Sequence, residues 1–244
     1  MATTLREPAT ERELRLEQLP WPDVESQLEA QGWAHCSQLL TPAECRELAG
    51  LYPAEAPFRS RIEMARHGFG RGEYKYFAYP LPDLTVRLRA AAYSQLVPIA
   101  NRWAAAIGPA AGFPDTHQAF LDRCHGAGQT RPTTLLLQYG PGDCNALHQD
   151  VYGELVFPFQ LAILLSRPGE DFEGGEFVLT EQRPRMQSRA SVVPLRQGDG
   201  VVFAVRHRPV QGTRGAYRVT MRHGVSPIRS GRRHTLGVIF HDAT

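Results

Sequence analysis

The sequence predicts a mainly β, α+β fold in which N-terminal helices pack on the outside of a C-terminal jelly roll, or double-stranded β-helix. Before Gly126 the chain reads mainly as helices with short extended pieces. After Gly126 it changes to short β-branched and aromatic runs separated by Gly, Pro and Asp, which is typical of β-sandwiches and barrels. No linker separates the two parts. We therefore expect one domain over residues 1–244, with 1–130 as helical support and lid and 131–244 as the jelly-roll core.

Two helices are predicted in the first part. The stretch TPAE (41–44) is a capping box with proline at the first helical position, which predicts a helix over 42–50. A longer helical pattern covers 83–107, with a kink expected near Pro98 and an end at Gly108. Neither helix contains an evident chemical motif.

Seven strands are predicted in the second part, a number that suits a jelly roll. They cover 133–139, 157–166, 176–181, 191–195, 201–205, 217–225 and 234–240. The stretches between them include PGDC, GEDFEGG and RQGDG, which contain the residues that tight turns require.

Composition excludes several classes of protein. An apolar content of 42% with no low-complexity segment indicates a globular chain, and the longest apolar stretch, 155–165, is shorter than the roughly 20 residues of a membrane span. The N-terminus has charges of both signs and no apolar core, so we expect no secretory signal and a cytoplasmic protein. The four cysteines form no C-x-x-C pair, which disfavours a zinc ribbon or a disulfide framework.

Arginine is concentrated late in the chain. The segment from Arg183 to Arg233 contains twelve arginines and one acid, Asp199, although the net charge of the whole chain is only +2. Such a segment could bind a polyanion. The alternative is a solvated basic face, since the chain as a whole has 26 arginines and one lysine.

A candidate metal site begins in the stretch NALHQDVYG (145–153), where His148 and Asp150 are separated by one residue. On its own this pattern is weak, because histidine and aspartate are frequent in the chain. Strand alternation should turn Gln149 away from a metal, so we assign it no ligand role.

A third ligand is available on the predicted strand 217–225. Alternation places Met221 and His223 on one face and Arg222 on the other, so His223 should point inward, whereas His207 should meet solvent. Two histidines and one carboxylate leave three positions of an octahedral iron(II) open. A zinc hydrolase could use the same ligands but needs a nearby general base, and the sequence has no H-E-x-x-H to supply it.

A cation is also available for a chelating 2-oxo acid, whose far carboxylate suits bidentate pairing with arginine. Arg233 lies ten residues after His223 at the start of the last predicted strand. Arg232 faces the opposite side and is the fallback, and a surface arginine is the alternative interpretation of either. Thr235, on the same face as Arg233, could donate a second hydrogen bond.

These residues resemble the Fe(II)- and 2-oxoglutarate-dependent dioxygenases over residues 133–240. YGPG (139–142), LHQD (147–150) and HGVSP (223–227) are similar to alkylated-DNA demethylases in wording and spacing. The short interval from His223 to Arg233, followed by a β-strand, is more similar to prolyl hydroxylases.

The resemblance implies a catalytic Fe(II) bound by His148, Asp150 and His223. It also implies that Arg233 binds the C5 carboxylate of 2-oxoglutarate and that Tyr139 donates a phenol hydrogen bond to it, although a barrel aromatic with its hydroxyl at the rim is the alternative for Tyr139. With O2 the implied reaction hydroxylates a substrate C–H bond and releases succinate and CO2.

Three interpretations of the function stay open. The motif wording and the arginine-rich segment favour oxidative demethylation of alkylated nucleic acid. A protein, peptide (prolyl-type) or small-molecule hydroxylase is the alternative, and a non-catalytic cupin-like jelly roll that binds a metal or ligand is a third. The assignment to nucleic acid is weakened because Thr235 and Ile239 stand where the demethylases have an asparagine and a second arginine, and Leu137 where they have another asparagine.

The segment RHGFGRGEYKYFAYPLP (66–82) interleaves cations with aromatic residues. Arg71, Tyr74 and Tyr76 are its candidate substrate residues, because aromatic faces among cations could stack an extruded or single-stranded base and neutralise its phosphates. The alternative is a β-ribbon that covers the barrel mouth with half-buried aromatics, which a protein hydroxylase would need equally.

Overall fold

Two antiparallel β-sheets face each other, and helices cover the outer face of the larger sheet. This is the architecture of a computed structural model that describes residues 14–108 and 112–244. The α-helices of this described part are α1 (Trp21–Gln31), α2 (Pro42–Gly50), α3 (Asp83–Ile107) and α4 (His117–Gly126). The strands are β1 (Trp33–Cys36), β2 (Phe58–Glu63), β3 (Gly70–Arg71), β4 (Glu73–Phe77), β5 (Leu135–Tyr139), β6 (Cys144–His148), β7 (Phe159–Leu164), β8 (Phe172–Gly174), β9 (Phe177–Gln182), β10 (Arg189–Val193), β11 (Gly200–Ala204), β12 (His207–Gly212), β13 (Gly215–Val225), β14 (Ile228–Gly231) and β15 (Arg233–Ile239).

The larger sheet, which we call the major sheet, has the strand order β1-β11-β7-β15-β5-β4-β2. The minor sheet has the order β10-β9-β13-β6-β3, and β12 pairs with β13 outside this path. Strands β8 and β14 form a separate two-stranded sheet. Two facing antiparallel sheets of this kind form a jelly roll, so the predicted mainly β fold with helices on its outside is confirmed.

The central strands of the major sheet are apolar on both faces because both faces are covered. Every residue of β7 and β11 is buried. Leu161 and Ile163 pack in the core on the helical side, whereas Ala162 and Leu164 belong to the core between the two sheets. Successive side chains of a strand therefore alternate between two cores, and the side chains between the sheets are in reach of both sheets.

Helix α3 supplies most of the helical cover. Its buried residues recur every three or four positions, as expected for a helix with one apolar face, and include Leu88, Ala92, Leu96, Ala100 and Trp103. The predicted bounds 83–107 are confirmed, and Pro98 lies inside this one α-helix. Helix α2 also has its predicted bounds.

The capping box that predicted α2 is present at its start. The Glu44 backbone N–H donates to the Thr41 hydroxyl at 3.2 Å, and the Thr41 backbone N–H donates to the Glu44 carboxylate at 2.7 Å. Two of the backbone donors that a helix start leaves without partners are thereby satisfied.

A buried ion pair fixes α3 to the end of the chain. Arg89 Nη2 donates to Asp242 Oδ1 at 2.7 Å, and these side chains are 1% and 0% exposed. Arg89 also donates to two backbone carbonyls, and Asp242 accepts from the Tyr79 hydroxyl and lies 2.8 Å from the His125 ring. We call this group the Arg89–Asp242 cluster. Both buried charges of this cluster therefore have partners within the chain.

All seven predicted strands are present, with bounds shifted by a few residues. The short strands β6, β8, β12 and β14 were not predicted, in part because a stretch such as CNALH has no regular alternation of apolar and polar residues. Strands from before residue 131 also join the sandwich: β1, β2 and β4 lie in the major sheet and β3 in the minor sheet. The region predicted as support and lid therefore contributes strands to both sheets.

Two further sequence expectations concern membranes and thiols. No helix in residues 14–108 and 112–244 is long and apolar enough to cross a membrane. All four cysteines are free, and three of them are buried. The first thirteen residues, on which the expectation of no secretory signal rests in part, lie outside the described residues.

Candidate active site

His148, Asp150 and His223 meet between the two sheets. One ligand atom from each lies within 4.8 Å of the other two. The Nε2 atoms of His148 and His223 lie 3.3 Å from Oδ1 and Oδ2 of Asp150, respectively. Such separations suit donors that bind one cation at about 2.0–2.2 Å each.

Two neighbouring strands bring these ligands together. His148, the last residue of β6, is the register partner of His223 on β13. In the second half of β13, Val219, Met221 and His223 are buried while Arg222 is exposed, so the predicted inward direction of His223 is confirmed. Asp150 follows β6 by two residues and is 7% exposed.

The hydrogen bonds of His148 favour a ligand role. Its Nδ1 lies 2.8 Å from the Ala146 carbonyl. An imidazole that donates from Nδ1 leaves the lone pair of Nε2 free for a metal, and this partner also fixes the ring orientation. Nδ1 of His223 is buried without a hydrogen-bond partner in the described part of the chain.

The two histidines favour the ionised form of Asp150. Burial acts to raise the pKa of Asp150, but hydrogen bonds and charge from His148 and His223 hold it well below its usual range. Burial lowers the pKa of His223, and the neighbouring His148 charge lowers it further. Asp150 is thus an anion at neutral pH, as a hard divalent cation requires.

Tyr152 and Gln129 support Asp150, and the sequence analysis did not identify either residue. The Tyr152 hydroxyl donates to Asp150 Oδ1 at 2.8 Å. The Gln129 amide donates to the backbone carbonyls of Tyr152 and Leu155 and accepts from the Leu155 N–H, which fixes the loop that follows Asp150. Tyr152 lies inside the NALHQDVYG stretch and could have been noticed there, whereas Gln129 has no sequence signal.

Arg233 lies at the inner end of the same space. It is 1% exposed and is the register partner of Tyr139 across β15 and β5. Its Nη1 donates to the Thr235 hydroxyl at 2.6 Å. The expected hydrogen bond from Thr235 to a 2-oxo acid stays a prediction. Arg232 is exposed. Arg233 is therefore the arginine that faces the interior.

The Arg233 guanidinium has no carboxylate partner among the described residues. Burial lowers its pKa to about 10, so it is a cation at neutral pH. Its Nε and the fully buried Tyr139 hydroxyl both lack a hydrogen-bond partner in the same set of residues. Buried charges and polar groups are normally paired. The unpaired cation and hydroxyl at this end of the site therefore suit an anionic ligand from outside the chain.

A cavity of about 290 Å³ connects the triad with Arg233 and is lined by both sheets. Ten buried side-chain polar atoms in the described residues lack a partner, and five of them belong to residues that line this cavity: Tyr139, Asn145, Gln160, His223 and Arg233. The residues present thus fit both a divalent metal at one end of the cavity and a small carboxylic acid at the other.

The predicted substrate residues occupy three different positions. Tyr74 is buried and lines the cavity. Tyr76 is also buried, but its ring packs against Tyr152 at 6.3 Å. Arg71 on β3 is exposed at the surface. Phe69 was not among the predicted substrate residues, yet it lines the cavity while 45% exposed, so it is an aromatic side chain at the cavity mouth.

Gln149 and His207 meet their expectations to different degrees. The Gln149 amide donates to the backbone carbonyls of Arg206 and Met221, and the residue also lines the cavity. His207 lies on β12 and is partly exposed, but its Nδ1 is buried.

Residues 72–243, more than half of the chain, match the model of the Oxygenase-NA family. That family is described as an oxygenase catalysing oxidative methylation of damaged DNA. Two uncharacterized proteins of Mycobacterium tuberculosis, from strains CDC 1551 / Oshkosh and ATCC 25618 / H37Rv, are each 54% identical to this chain over 167 residues, which cover 68% of this chain and 72% of theirs.

Solved structures with a similar fold have low sequence identity. A Pseudomonas putida prolyl-4-hydroxylase has a TM-score of 0.53 at 16% identity, and the match covers 92% of this chain and 100% of the hydroxylase. A Trichoplax adhaerens prolyl hydroxylase in complex with a hypoxia inducible factor peptide has a TM-score of 0.51 at 16% identity, covering 93% and 91%. The α-ketoglutarate-dependent epimerase SnoN of nogalamycin biosynthesis has a TM-score of 0.52 at 15% identity, covering 89% and 80%. These similarities concern the fold.

Proposed function

The chain belongs to the Oxygenase-NA family, and we propose that it demethylates alkylated nucleic acid oxidatively. The family and the fold imply an oxygenase that uses Fe(II), 2-oxoglutarate and O2, as the sequence predicted. A non-catalytic jelly roll is thereby disfavoured. The residue roles and the substrate set out below are our proposal.

His148, Asp150 and His223 hold the iron in this proposal. Two imidazoles and one carboxylate occupy three positions of an octahedral ion and leave three open. When bound, Fe(II) with 2-oxoglutarate and O2 supplies the oxidising power that hydroxylates a substrate C–H bond, with release of succinate and CO2. Tyr152 keeps Asp150 in position, and the Ala146 carbonyl keeps Nε2 of His148 directed at the metal.

Arg233 binds the far carboxylate of 2-oxoglutarate, and its unpaired buried charge is the observation that most supports the proposal. A carboxylate against this buried guanidinium forms charge-assisted hydrogen bonds. The Thr235 hydroxyl orients the guanidinium at 2.6 Å, and the Tyr139 hydroxyl is available for a further hydrogen bond. Apolar side chains such as Leu135, Ala162 and Phe203 also line the cavity.

Demethylation follows from hydroxylation when the target is an N-methyl group. The hydroxylated carbon is then part of a hemiaminal, whose C–N bond breaks to give formaldehyde and the unmodified base. Hydroxylation of a proline or another carbon would instead leave a stable alcohol.

An arginine-rich surface next to the site supports a nucleic-acid substrate. Several exposed arginines on or near the minor sheet have no ion-pair partner among the described residues: Arg185, Arg189, Arg206, Arg214 and Arg222. Arg206 is close to the cavity, since its carbonyl accepts from the cavity-lining Gln149. Phosphates passing over this surface would bring a base towards the metal site.

Formaldehyde release from methylated oligonucleotides tests the proposed reaction. The expected result is formaldehyde and succinate in a one-to-one ratio with the wild-type protein, and neither product with Asp150→Ala. Succinate without formaldehyde, together with a 16 Da gain on a peptide or small molecule, would replace the nucleic acid by the alternative substrate.

Oligonucleotide binding tests the surface separately. Arg206→Gln and Arg222→Gln should each weaken binding, measured by fluorescence anisotropy, because each variant neutralises one phosphate fewer. The slope of log Kd against log salt concentration should fall by about 1 in each variant. Arg46→Gln on α2 removes the same charge from an exposed site elsewhere and is the matched control. Equal weakening in all three variants would show that only net charge matters.

A further inference from the structure

Asn145 enters the cavity because β6 contains a β-bulge. His148 pairs with His223 and Asn145 pairs with Val225, so three steps along β6 oppose two steps along β13. Regular alternation would turn Asn145 outward when His148 points inward. With the bulge, both residues line the cavity, while Ala146 and Leu147 between them are exposed.

Glycines on both neighbouring strands accommodate the bulge. A Cβ on Gly224 of β13 would lie 2.6 Å from the Asn145 carbonyl oxygen. A Cβ on Gly70 of β3 would lie 2.3 Å from the Cys144 carbonyl oxygen, and Gly70 has a φ of +120°. A side chain at either position would displace the β6 backbone. Asn145 therefore points inward because of backbone features on three strands.

The carboxamide of Asn145 lies in the polar end of the cavity. Its oxygen is buried without a partner among the described residues, as are the Tyr139 hydroxyl and Arg233 Nε. All three residues line the same cavity, and the Arg233 guanidinium carbon lies 5.9 Å from the centre of the Tyr139 ring. A carboxamide can turn to present either its oxygen or its NH2 group at one point.

We propose that Asn145 is a third cosubstrate-binding residue, donating an amide N–H to 2-oxoglutarate beside Tyr139 and Arg233. An anionic ligand needs donors along its length, and Leu137, which lines the same cavity, offers none. Asn145 supplies a donor from the facing sheet, so both sheets hold the ligand. This inference rests on the proposed use of 2-oxoglutarate by this site.

The experiment measures 2-oxoglutarate binding by calorimetry on the full chain, with Mn(II) in place of Fe(II) so that no turnover occurs. Asn145→Leu removes the amide at similar size and should raise the Kd for 2-oxoglutarate roughly 10-fold, the loss of one hydrogen bond to a charged group. Asn145→Asp keeps the shape but sets a carboxylate against the ligand, and should raise the Kd further. Leu147→Asn, on the exposed face of the same strand, should leave it unchanged.

The outcomes separate this inference from the proposed function. If the wild-type protein binds no 2-oxoglutarate, the proposed function itself fails. If the wild type binds it and both Asn145 variants bind equally well, the role of Asn145 is refuted. Mn(II) affinity and thermal unfolding of each variant are measured alongside as controls for folding. If Asn145→Leu does not fold, the Kd of Asn145→Asp for 2-oxoglutarate tests the role of Asn145.

Discussion

Two buried arginines of this protein have opposite surroundings. Arg89 and Arg233 are each 1% exposed. Arg89 is bonded to the carboxylate of Asp242 and to two backbone carbonyls. Arg233 donates to one neutral hydroxyl, that of Thr235, and its Nε has no partner in the described residues. The fold supplies the first cation with a carboxylate, whereas the described residues supply none to the second.

A third buried arginine follows the pattern of Arg89. Arg208 is 1% exposed, and its Nε donates to Glu181 at 3.1 Å. Burial alone therefore does not separate a structural charge from a candidate ligand-binding one, because all three arginines are equally buried. The presence or absence of a carboxylate partner separates them, and this distinction predicts different behaviour for the variants of each.

The largest expected effect is on the stability of Arg89→Leu. Removing this side chain leaves Asp242 buried without its cation, which should lower the free energy of unfolding by about 3–5 kcal/mol. The fraction that stays folded should bind 2-oxoglutarate normally. Urea unfolding monitored by tryptophan fluorescence measures the change, and a stability equal to that of the wild type would contradict a structural role for the cluster.

Arg233→Leu should show the reverse result. Its Kd for 2-oxoglutarate should rise about 100-fold, since the ligand carboxylate would be buried without its cation. Its free energy of unfolding should be unchanged or higher, because no buried carboxylate loses a partner. Arg233→Lys keeps the charge without the planar guanidinium, so its Kd for 2-oxoglutarate should lie between those of the wild type and Arg233→Leu. A loss of stability in Arg233→Leu comparable to that of Arg89→Leu would remove the distinction between the two arginines.

Tyr152→Phe should weaken metal binding by about 10-fold, at the lower end of the effect of removing a partner of a metal ligand. The hydroxyl that this variant removes donates to Asp150, so the carboxylate would be free to rotate. Calorimetry with Mn(II) measures the change. Tyr93→Phe removes a hydroxyl that bonds to the Pro114 carbonyl far from the triad, and it should bind Mn(II) as the wild type does.

The smallest effect concerns acid stability. Burial acts to raise the pKa of Asp242, but the Arg89 charge and hydrogen bonds from Arg89, His125 and Tyr79 hold it below its usual value of 3.8. Protonation is therefore harder in the folded state, so this contribution to stability is complete well above pH 4 and is lost as pH falls through the lower folded pKa. Each unit of depression corresponds to about 1.4 kcal/mol. Urea unfolding between pH 6 and 3 should show a smaller loss for Asp242→Asn than for the wild type.

The triad and Arg233 could be predicted from sequence because their signals are local. His148 and Asp150 form one short motif, and alternation along one strand predicted the inward direction of His223. Arg233 was proposed from its position ten residues after His223, with Arg232 as the alternative, and Arg233 is the buried one of the two. The outer fold was also predictable from helix caps and from short strand-like runs. These features depend on neighbours within a few residues.

Other features depend on contacts between distant segments and could not be predicted. Arg89 and Asp242 are 153 residues apart in sequence, and neither has a motif around it. Asn145 was not identified as a cavity residue because regular alternation places it outside, and the bulge is defined only by its pairing with β13. Tyr76 was assigned to the substrate by composition, but its buried position under the cavity depends on the packing of β4 against the loop that follows Asp150.

An anaerobic titration tests the central claim most directly. Fe(II) followed by 2-oxoglutarate is added to the wild-type protein, to Asp150→Ala and to Arg233→Leu, and visible absorption is recorded. We expect a metal-to-ligand charge-transfer band in the wild type, no band in Asp150→Ala, and in Arg233→Leu a band that forms only at about 100-fold higher 2-oxoglutarate. A wild-type protein without the band, or an Asp150→Ala variant that keeps it, would contradict the assignment of this cavity to iron and 2-oxoglutarate.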